Sequence, residues 1–166
     1  MNNSEHVYTP PRVVPAREVP ASVRSLLNGE DLLSKTQAVR LSTVDADGWP
    51  HAALLSAGEV LVLPNERIRF VIFPNSVTAA NLVRDGRVTL TLSLEGGMCE
   101  LRMRARQYND GTKDVPLAFF EAAVEEVREH RAPYAEVTGG ISFSLNVPSA
   151  VLDRWQRQIA ALGSAS

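Results

Sequence analysis

Residues 38–56 read AVRLSTVDADGWPHAALLS, and this stretch predicts a β-hairpin. Its two strands are expected from Ala38 to Val44 and from Pro50 to Ser56. Between them, Asp47 and Gly48 form an Asp-Gly pair, in which the glycine supplies the positive φ angle that a tight hairpin turn requires. The chain is therefore expected to contain antiparallel β-sheet.

Further strands are predicted after this hairpin by the alternation of apolar and polar residues. The clearest example runs from Val88 to Leu94, where valine and leucine alternate with threonine and serine, so that one face is buried. The other predicted strands are Glu59–Leu63, Ile68–Phe73, Glu100–Arg106 and Ile141–Asn146. Short antiparallel strands commonly avoid exposed edges by closing on themselves. The sequence thus predicts a mainly β, six- to seven-stranded antiparallel barrel with a few helices.

Helical segments are predicted around this barrel, where they are expected to act as caps. A short helix is expected within Ala21–Leu33, and the others are Thr78–Asp85, Pro116–Arg131 and Pro148–Leu162. The Pro116–Arg131 segment starts with a proline and carries a broad apolar face at helical spacing. That face consists of Phe119, Phe120, Ala123, Val124 and Val127. The last helix has a stripe suited to packing on the barrel or on a second subunit, formed by Leu152, Trp155, Ile159 and Leu162.

Length and composition favour one soluble domain. The 166 residues are 45% hydrophobic, which suits a single core over 21–166 after an extended, proline-rich arm over 1–20. A formal net charge of −2 argues against a nucleic-acid partner. The single cysteine, Cys99, cannot form an internal disulfide, and the first residues lack the features of a secretory signal. A cytoplasmic location is expected, and no apolar run approaches the roughly 20 residues needed to span a membrane.

Most kinds of catalytic site find no support in the sequence. The histidines His6, His51 and His130 lie far apart, so no metal site is expected. There is no Gly-x-Ser-x-Gly elbow, no Walker loop and no dinucleotide glycine fingerprint. Cys99 falls in a predicted strand, where a packed thiol is the simpler interpretation than a reactive one.

The best candidate for binding an anion is the segment Phe73-Pro74-Asn75-Ser76-Val77-Thr78. A strand ends there, a polar turn follows, and a helix begins with Ser76 as its predicted N-cap. Such a helix start presents unpaired N–H groups, hydroxyls and the positive end of the helix dipole. The alternative is that Ser76 and Thr78 only cap the helix.

The order of these motifs resembles that of the FMN-binding split-barrel proteins related to pyridoxamine 5'-phosphate oxidase. The resemblance is carried by AVRLSTVDADGWPH at 38–51, IRFVIF at 68–73 and NLVRDGRVTL at 81–90. It implies a split β-barrel and a homodimer with two FMN molecules in clefts between the subunits. The second strand would lie along the isoalloxazine ring, and the turn after Phe73 would hold the phosphate. The cofactor-binding residues implied are Ala53, Leu54, Leu55, Ser56, Phe73, Pro74, Asn75, Ser76, Thr78 and Asn81.

The sequence departs from the oxidases at the phosphate-binding positions. Where the oxidases carry a Ser-Arg-Lys run, this chain has Ser76-Val77-Thr78, and residues 52–58 contain neither arginine nor lysine. Charge-assisted bonds to phosphate are about twice as strong as neutral ones, so weaker FMN binding is expected. The oxidase reaction itself is not expected, because the phosphate of its substrate also needs basic residues that this sequence does not match. An arginine from Arg102, Arg104 or Arg106 is a candidate replacement, and the alternative for that row is a solvated strand face.

The resemblance predicts a flavin-dependent oxidoreductase or reductase that acts on an unknown small molecule. No catalytic residue is named, because a flavin carries hydride chemistry itself while the protein supplies position and electrostatics. One alternative is a split barrel that has lost its flavin and works as a binding or regulatory module. Another is the same fold with a deazaflavin or haem.

Overall fold

The computed structural model describes residues 8–14 and 18–164. Its strands are β1 Arg12–Val14, β2 Val39–Val44, β3 Pro50–Leu55, β4 Val60–Val62, β5 Ile68–Ile72, β6 Arg87–Leu94, β7 Gly97–Asn109 and β8 Ala118–His130. Its α-helices are α1 Ala21–Leu26, α2 Val77–Arg84 and α3 Pro148–Gly163, and a short 3-10 turn covers Leu32–Ser34.

The strands form one antiparallel sheet in the order β3-β2-β6-β7-β8-β5-β4, and β1 pairs with β8 outside this path. Strands β3 and β4 lie at opposite ends of that order, yet only the turn at 56–59 separates them in sequence. The sheet therefore has to curl until its two edges come close together. The result is an open half-barrel, which confirms the mainly β, antiparallel split-barrel prediction.

The predicted hairpin forms between β2 and β3, in register from Val39 opposite Leu55 to Val44 opposite Pro50. The turn is closed by Asp45, whose carboxylate accepts hydrogen bonds from the N–H groups of Asp47 and Trp49, each at 2.9 Å. Gly48 has a φ of +86°, the left-handed conformation that an L side chain rarely adopts. The hairpin turn predicted from the Asp-Gly pair is thus confirmed.

One large apolar cluster forms the main core. Its fully buried side chains include Phe70 and Phe120, whose rings stack with centroids 5.7 Å apart. A smaller cluster lies under the C-terminal half of α3 and consists of Leu61, Val71, Val115, Phe119 and Leu162. Trp155 of α3 belongs to the large cluster, so this helix packs against both.

The helix expected over Pro116–Arg131 is wrong, because the structure has β8 there instead. Phe120, Ala122 and Val124 alternate into the core, and a bulge opposite Arg102 and Met103 shifts the next inward position to Val127. Because of this bulge, the buried residues of β8 are three apart between Val124 and Val127, a spacing that also fits one face of a helix. The long strand β7 needs a partner for its backbone groups, and β8 provides it.

The strand expected over Ile141–Asn146 does not form. Only a single bridge joins Ser142 to Gln37 there. Two further hydrogen bonds, from the Ala38 N–H to the Ile141 carbonyl at 2.8 Å and from the Phe143 N–H to the Thr36 carbonyl at 3.0 Å, hold this segment against the start of β2. It is too exposed and too weakly paired to extend the sheet.

The apolar stripe predicted on α3 packs on the barrel, one of the two partners expected for it. The buried residues are Trp155, Gln158 and Leu162, whereas Leu152 and Ile159 are half-buried. The ring of Trp155 lies where a side chain at Gly58 would be, since a Cβ built on that glycine would fall 2.1 Å from the ring. The helix can approach the β3–β4 turn this closely because residue 58 is glycine.

The end of α3 is fixed by Arg69 of β5, a nearly buried arginine. Its guanidinium donates to the carbonyls of Leu162 at 3.0 Å and Ser164 at 2.7 Å, and to Glu121 of β8 at 2.9 Å. A cation at this end of a helix is also favourable for the helix dipole.

Of the predicted N-terminal arm, residues 12–14 are extended in β1, while 1–7 and 15–17 lie outside the described residues. The domain boundary at residue 21 stays a prediction. Within the described part of the chain, no helix is long and apolar enough to cross a membrane.

Candidate functional site

The turn after β5 has the N-cap that the sequence predicts. The hydroxyl of Ser76 accepts a hydrogen bond from the Ala79 N–H at 3.1 Å and donates to the Phe73 carbonyl at 2.7 Å. Its only proton is therefore already used. The N–H groups of Val77 and Thr78 are the first two of α2, and no intrahelical carbonyl can accept from them. Val77 is 51% exposed and Thr78 only 3%, so the turn can present the Val77 N–H, the exposed Asn75 amide and the helix dipole to an anion.

The six predicted residues of this turn and helix separate into an exposed tip and a buried base. Phe73 is 72% exposed, and Pro74 and Asn75 are exposed beside it. Thr78 and Asn81 are 3% and 2% exposed. The tip can therefore meet a ligand, whereas the base packs on the barrel.

Asn81 anchors α2 to the sheet. Its amide nitrogen donates to the Thr43 hydroxyl of β2 at 2.9 Å, and its oxygen accepts from Arg84 at 3.2 Å. Arg84 also donates to the carbonyl of Val44. Both ends of the Asn81 amide are occupied inside the chain.

The other four predicted residues lie on and just after β3, which is an edge strand. Leu54 is 53% exposed, and Ala53 and Leu55 are half-buried. Ser56 is buried, and its N–H and hydroxyl both donate to the Glu59 carboxylate, at 2.6 and 2.9 Å. The hydroxyl of Ser56 is thus committed to the turn between β3 and β4.

The arginines of the β7 row pair with carboxylates of β8. Arg102 contacts Glu126 at 3.7 Å, Arg104 contacts Glu125 at 2.8 Å, and Arg106 contacts Glu121 at 3.5 Å. The interpretation of this row as a solvated strand face is the one that these ion pairs favour.

Two neighbouring grooves are lined by the two parts of the predicted site, one by residues of β3 and the other by Phe73. The β3 groove, about 270 Å³, is lined by Leu54, Leu55 and Ser56 on one side and by Phe143, Arg154 and Trp155 on the other. The Phe73 groove, about 290 Å³, is lined by Phe73, Val115, Pro116, Leu117, Arg154 and Gln158, among others. Glu59 and Arg154 line both. The fold thus brings β3 and Phe73 to either side of one glutamate and one arginine.

Sequence reasoning missed several polar residues of this region. Arg154 and Gln158 lie on α3, for which the sequence predicts only an apolar stripe, and Glu59 falls at the start of a predicted strand. Arg40 is exposed on β2 directly opposite Leu54. No spacing rule connects these residues to the turn after Phe73, because the packing of α3 and the strand register bring them together.

No cluster of three or more His, Cys, Asp or Glu side chains that could hold a metal ion occurs in residues 8–14 and 18–164. Burial raises the pKa of the Cys99 thiol to about 11, with nearby carboxylates contributing. A thiol of that pKa is almost fully protonated at neutral pH.

Comparison with known proteins gives consistent matches. Residues 28–131 match the family described as pyridoxamine 5'-phosphate oxidase. The Bacillus subtilis (strain 168) protein YclD is 34% identical over 140 residues, which cover 82% of this chain and 90% of YclD.

Solved structures show the same fold at low sequence identity. A Lactobacillus delbrueckii protein provisionally named as a pyridoxamine 5'-phosphate oxidase superimposes with a TM-score of 0.56 at 18% identity, over 70% of this chain and 98% of that one. HupZ of Group A Streptococcus gives 0.54 at 15% identity, over 72% and 98%.

Proposed function

The chain belongs to the pyridoxamine 5'-phosphate oxidase family, and on that premise we propose that it binds FMN and acts as a flavin-dependent oxidoreductase or reductase on a small molecule. When bound, FMN supplies the hydride chemistry, and the protein supplies position and electrostatics. The oxidase reaction of the namesake is not proposed, because the cations expected at Val77, Thr78 and 52–58 are missing.

The phosphate end of the proposed site rests on the exposed tip of the turn after β5. The backbone N–H group of Val77 and the exposed amide of Asn75 are donors suited to a phosphate, and the dipole of α2 adds to their attraction. No cation of the turn itself assists them. We therefore expect a weaker site than one with two basic residues.

The ring end rests on the apolar edge of β3. Ala53, Leu54 and Leu55 offer small and apolar side chains to a flat ring, and Leu54 is 53% exposed. The cation of Arg40 lies opposite Leu54 on β2, where it would favour negative charge on a bound ring.

A second copy of the chain is part of this proposal. Three large apolar side chains of the predicted site and its turn are more than half exposed: Leu54 at 53%, Phe73 at 72% and Val77 at 51%. Burial of such a patch against a partner is favourable, and a shared cleft would enclose the flavin. A homodimer is expected by size-exclusion chromatography with light scattering, and a monomer at all concentrations would contradict the shared cleft.

FMN binding is tested directly by the visible spectrum of the purified protein and by titration with FMN. A yellow protein, or saturable quenching of FMN fluorescence, is expected. A colourless protein that shows no saturable binding would refute the proposal.

Two matched substitutions on α2 test where the phosphate binds. Val77→Arg restores an exposed cation beside the free N–H groups, and we expect FMN to bind about tenfold more tightly or better. Val83→Arg places the same charge on the same helix at a 67% exposed position beyond the first turn, and little change is expected. Equal gains from both variants would point to general attraction of an anion.

The second candidate function is a flavin-free binding or regulatory module. Three polar residues of the predicted site favour it, because their side-chain donors already make hydrogen bonds within the chain. They are Ser56, Ser76 and Asn81. The carboxylate of Glu59 beside Ser56 would also repel a phosphate. A protein that binds no FMN until Val77→Arg is introduced would identify this second function.

A further inference from the structure

Three long stretches of the chain carry no charged side chain, although charged residues make up 22% of the sequence. They are residues 48–58, 70–83 and 137–152, and no other stretch without Asp, Glu, Lys and Arg is as long. An absence of charge combined with exposed apolar side chains is typical of the core of a protein–protein contact. More than half of the exposed large apolar side chains in the described part of the chain lie in these stretches: Trp49, Leu54, Phe73, Val77, Val83, Val137, Ile141 and Val147.

Two of these stretches meet at strand β3. Residues 48–58 contain β3 itself, and residues 131–147, which we call the strap, are largely exposed and connect β8 to α3. The Ala38 N–H, just before β2, donates to the Ile141 carbonyl of the strap at 2.8 Å. The next residue of the chain pairs with Leu55. The strap therefore lies at the carboxyl end of β3.

The hairpin turn with Trp49 lies at the opposite end of β3. Trp49 directly precedes this strand and is 71% exposed, while Ile141 and Val147 of the strap are 55% and 57% exposed. A strand rises about 3.3 Å per residue, so the length of β3 separates its two ends by roughly 17 Å. We call the surface formed by Trp49, Leu54, Ile141 and Val147 the uncharged face.

Strand β3, in the middle of the uncharged face, is an edge strand without the usual protection. Among the described strands it pairs with β2 alone. Proteins commonly protect such edges with charged side chains, and β3 has none. The β3 groove beside it has a volume of about 270 Å³, slightly below the usual range for ligand pockets. Both the edge and the groove are thus incomplete in a single chain.

The partner that this surface fits is a second copy of the chain. In a two-fold dimer the same surface lies on both sides of the contact, so a charge near the axis faces an identical charge. The uncharged face avoids this repulsion. Charged side chains border it instead, with Arg40 opposite Leu54 on β2 and with Glu59 and Arg154 in the β3 groove. An apolar core with a polar rim is the usual organisation of such a contact.

We propose that two copies associate through the uncharged face, about a two-fold axis that passes beside the centre of β3. Such a contact maps the face onto itself, so the axis passes through its middle and exchanges the two ends of β3. The strap of one copy, with Ile141, then covers the turn of the other copy that carries Trp49. This inference rests on the homodimer of the proposed function and gives it a geometry, but no step of it requires FMN.

Two strap variants test the contact by analytical ultracentrifugation of the full-length protein, with and without added FMN. Ile141→Glu and Val147→Glu should each raise the dimer dissociation constant about a hundredfold or more, because each places a charge in the contact twice. Leu33→Glu adds the same charge at a 42% exposed leucine outside the three stretches, and no change is expected. Circular dichroism and the Tm show that the variants fold. A monomeric wild-type protein, unchanged dimers in both strap variants, or equal weakening in the control would overturn the proposal.

Iodide quenching of tryptophan fluorescence, measured without FMN, tests which segment the strap covers. Trp155 is only 3% exposed, so quenching by iodide reports on Trp49. We expect Trp49 to be shielded in the wild-type dimer and strongly quenched in the Ile141→Glu monomer. Strong quenching in the wild-type dimer would refute the exchange of ends.

The two proposals fail separately. A dimer that responds to the strap variants and shields Trp49 but binds no FMN would refute the flavin function and support this contact. A dimer that binds FMN and ignores both strap variants would refute this contact and support the flavin function.

Discussion

Arg69→Met should detach the end of α3 from the barrel. The side chains of Arg69 and Glu121 are only 10% and 13% exposed, and the guanidinium also donates to the two carbonyls at the end of the helix. It lies over the ring of Tyr108, 4.8 Å from the ring centroid. Methionine preserves much of the volume but leaves all of these acceptors without their donor.

The expected loss of stability follows from what remains around Glu121. Removing one partner of a buried ion pair costs about 3–5 kcal/mol. Arg106 stays 3.5 Å from the same carboxylate but is 75% exposed, so it offsets part of that cost. We therefore expect a loss of about 3 kcal/mol in the free energy of unfolding, which corresponds to a fall in Tm of about 6–12 °C.

Urea unfolding followed by circular dichroism measures this loss, and fluorescence shows where it acts. In a Trp49→Phe background the emission comes from Trp155 of α3, which is 3% exposed. Its emission should shift to the red in Arg69→Met at urea concentrations where the sheet is still folded. Arg67→Met, an exposed position two residues away, should change stability by less than about 0.5 kcal/mol. A loss below about 1 kcal/mol, or equal losses in both variants, would refute this account of α3.

Three further substitutions or measurements test separate features. Gly58→Ala should destabilise the fold by about 1–3 kcal/mol by overpacking against the tryptophan ring of α3, whereas Gly139→Ala, with nothing within 4 Å, should be neutral in the same urea assay. Cys99 should resist thiol reagents at pH 8 in the folded protein and react at once in denaturant, because burial raises its pKa to about 11; fast labelling of the folded protein would contradict its packing. A hydrogen bond from Arg87 lowers the pKa of Asp85 to about 2, below an unfolded value of about 3.9. The stabilisation is therefore present above about pH 4 and lost as the pH falls towards 2, and Asp85→Asn should flatten urea stability over that interval; an unchanged profile would contradict the pair.

Local signals in the sequence predicted the parts of the fold that local chemistry determines. The Asp-Gly turn at 47–48 and the N-cap at Ser76 both formed as expected, because each depends on residues within a few positions of one another. The split-barrel arrangement of the strands was predicted from the family resemblance, because it depends on contacts between strands that are distant in sequence. No local pattern contains that information.

Segment 116–131 shows why local signals can fail. Its alanines and glutamates favour a helix, and the bulge in β8 moves the apolar residues to a spacing that fits a helical face. The deciding factor is the unpaired edge of β7, which lies in another part of the chain. Propensity is a weak prior that tertiary context can override.

The candidate site was predictable as a set of segments but not as a set of contacts. The segments around β3 and Phe73 do lie on either side of Glu59 and Arg154. The use of the Ser56 and Asn81 side chains within the chain depends on which atoms meet across the fold. Those contacts decide what the site can bind, and composition and spacing do not reveal them.

The two missing cations differ in a way that bears on the function. Val77 is 51% exposed, whereas Thr78 is 3% exposed against the barrel. A lysine at position 78 would have to bury its charge or displace α2, so its absence is tied to the packing of the helix. An arginine at position 77 would cost no packing. In the proposed flavin site, position 77 is therefore the surface position at which one substitution would turn a weak anion site into a strong one.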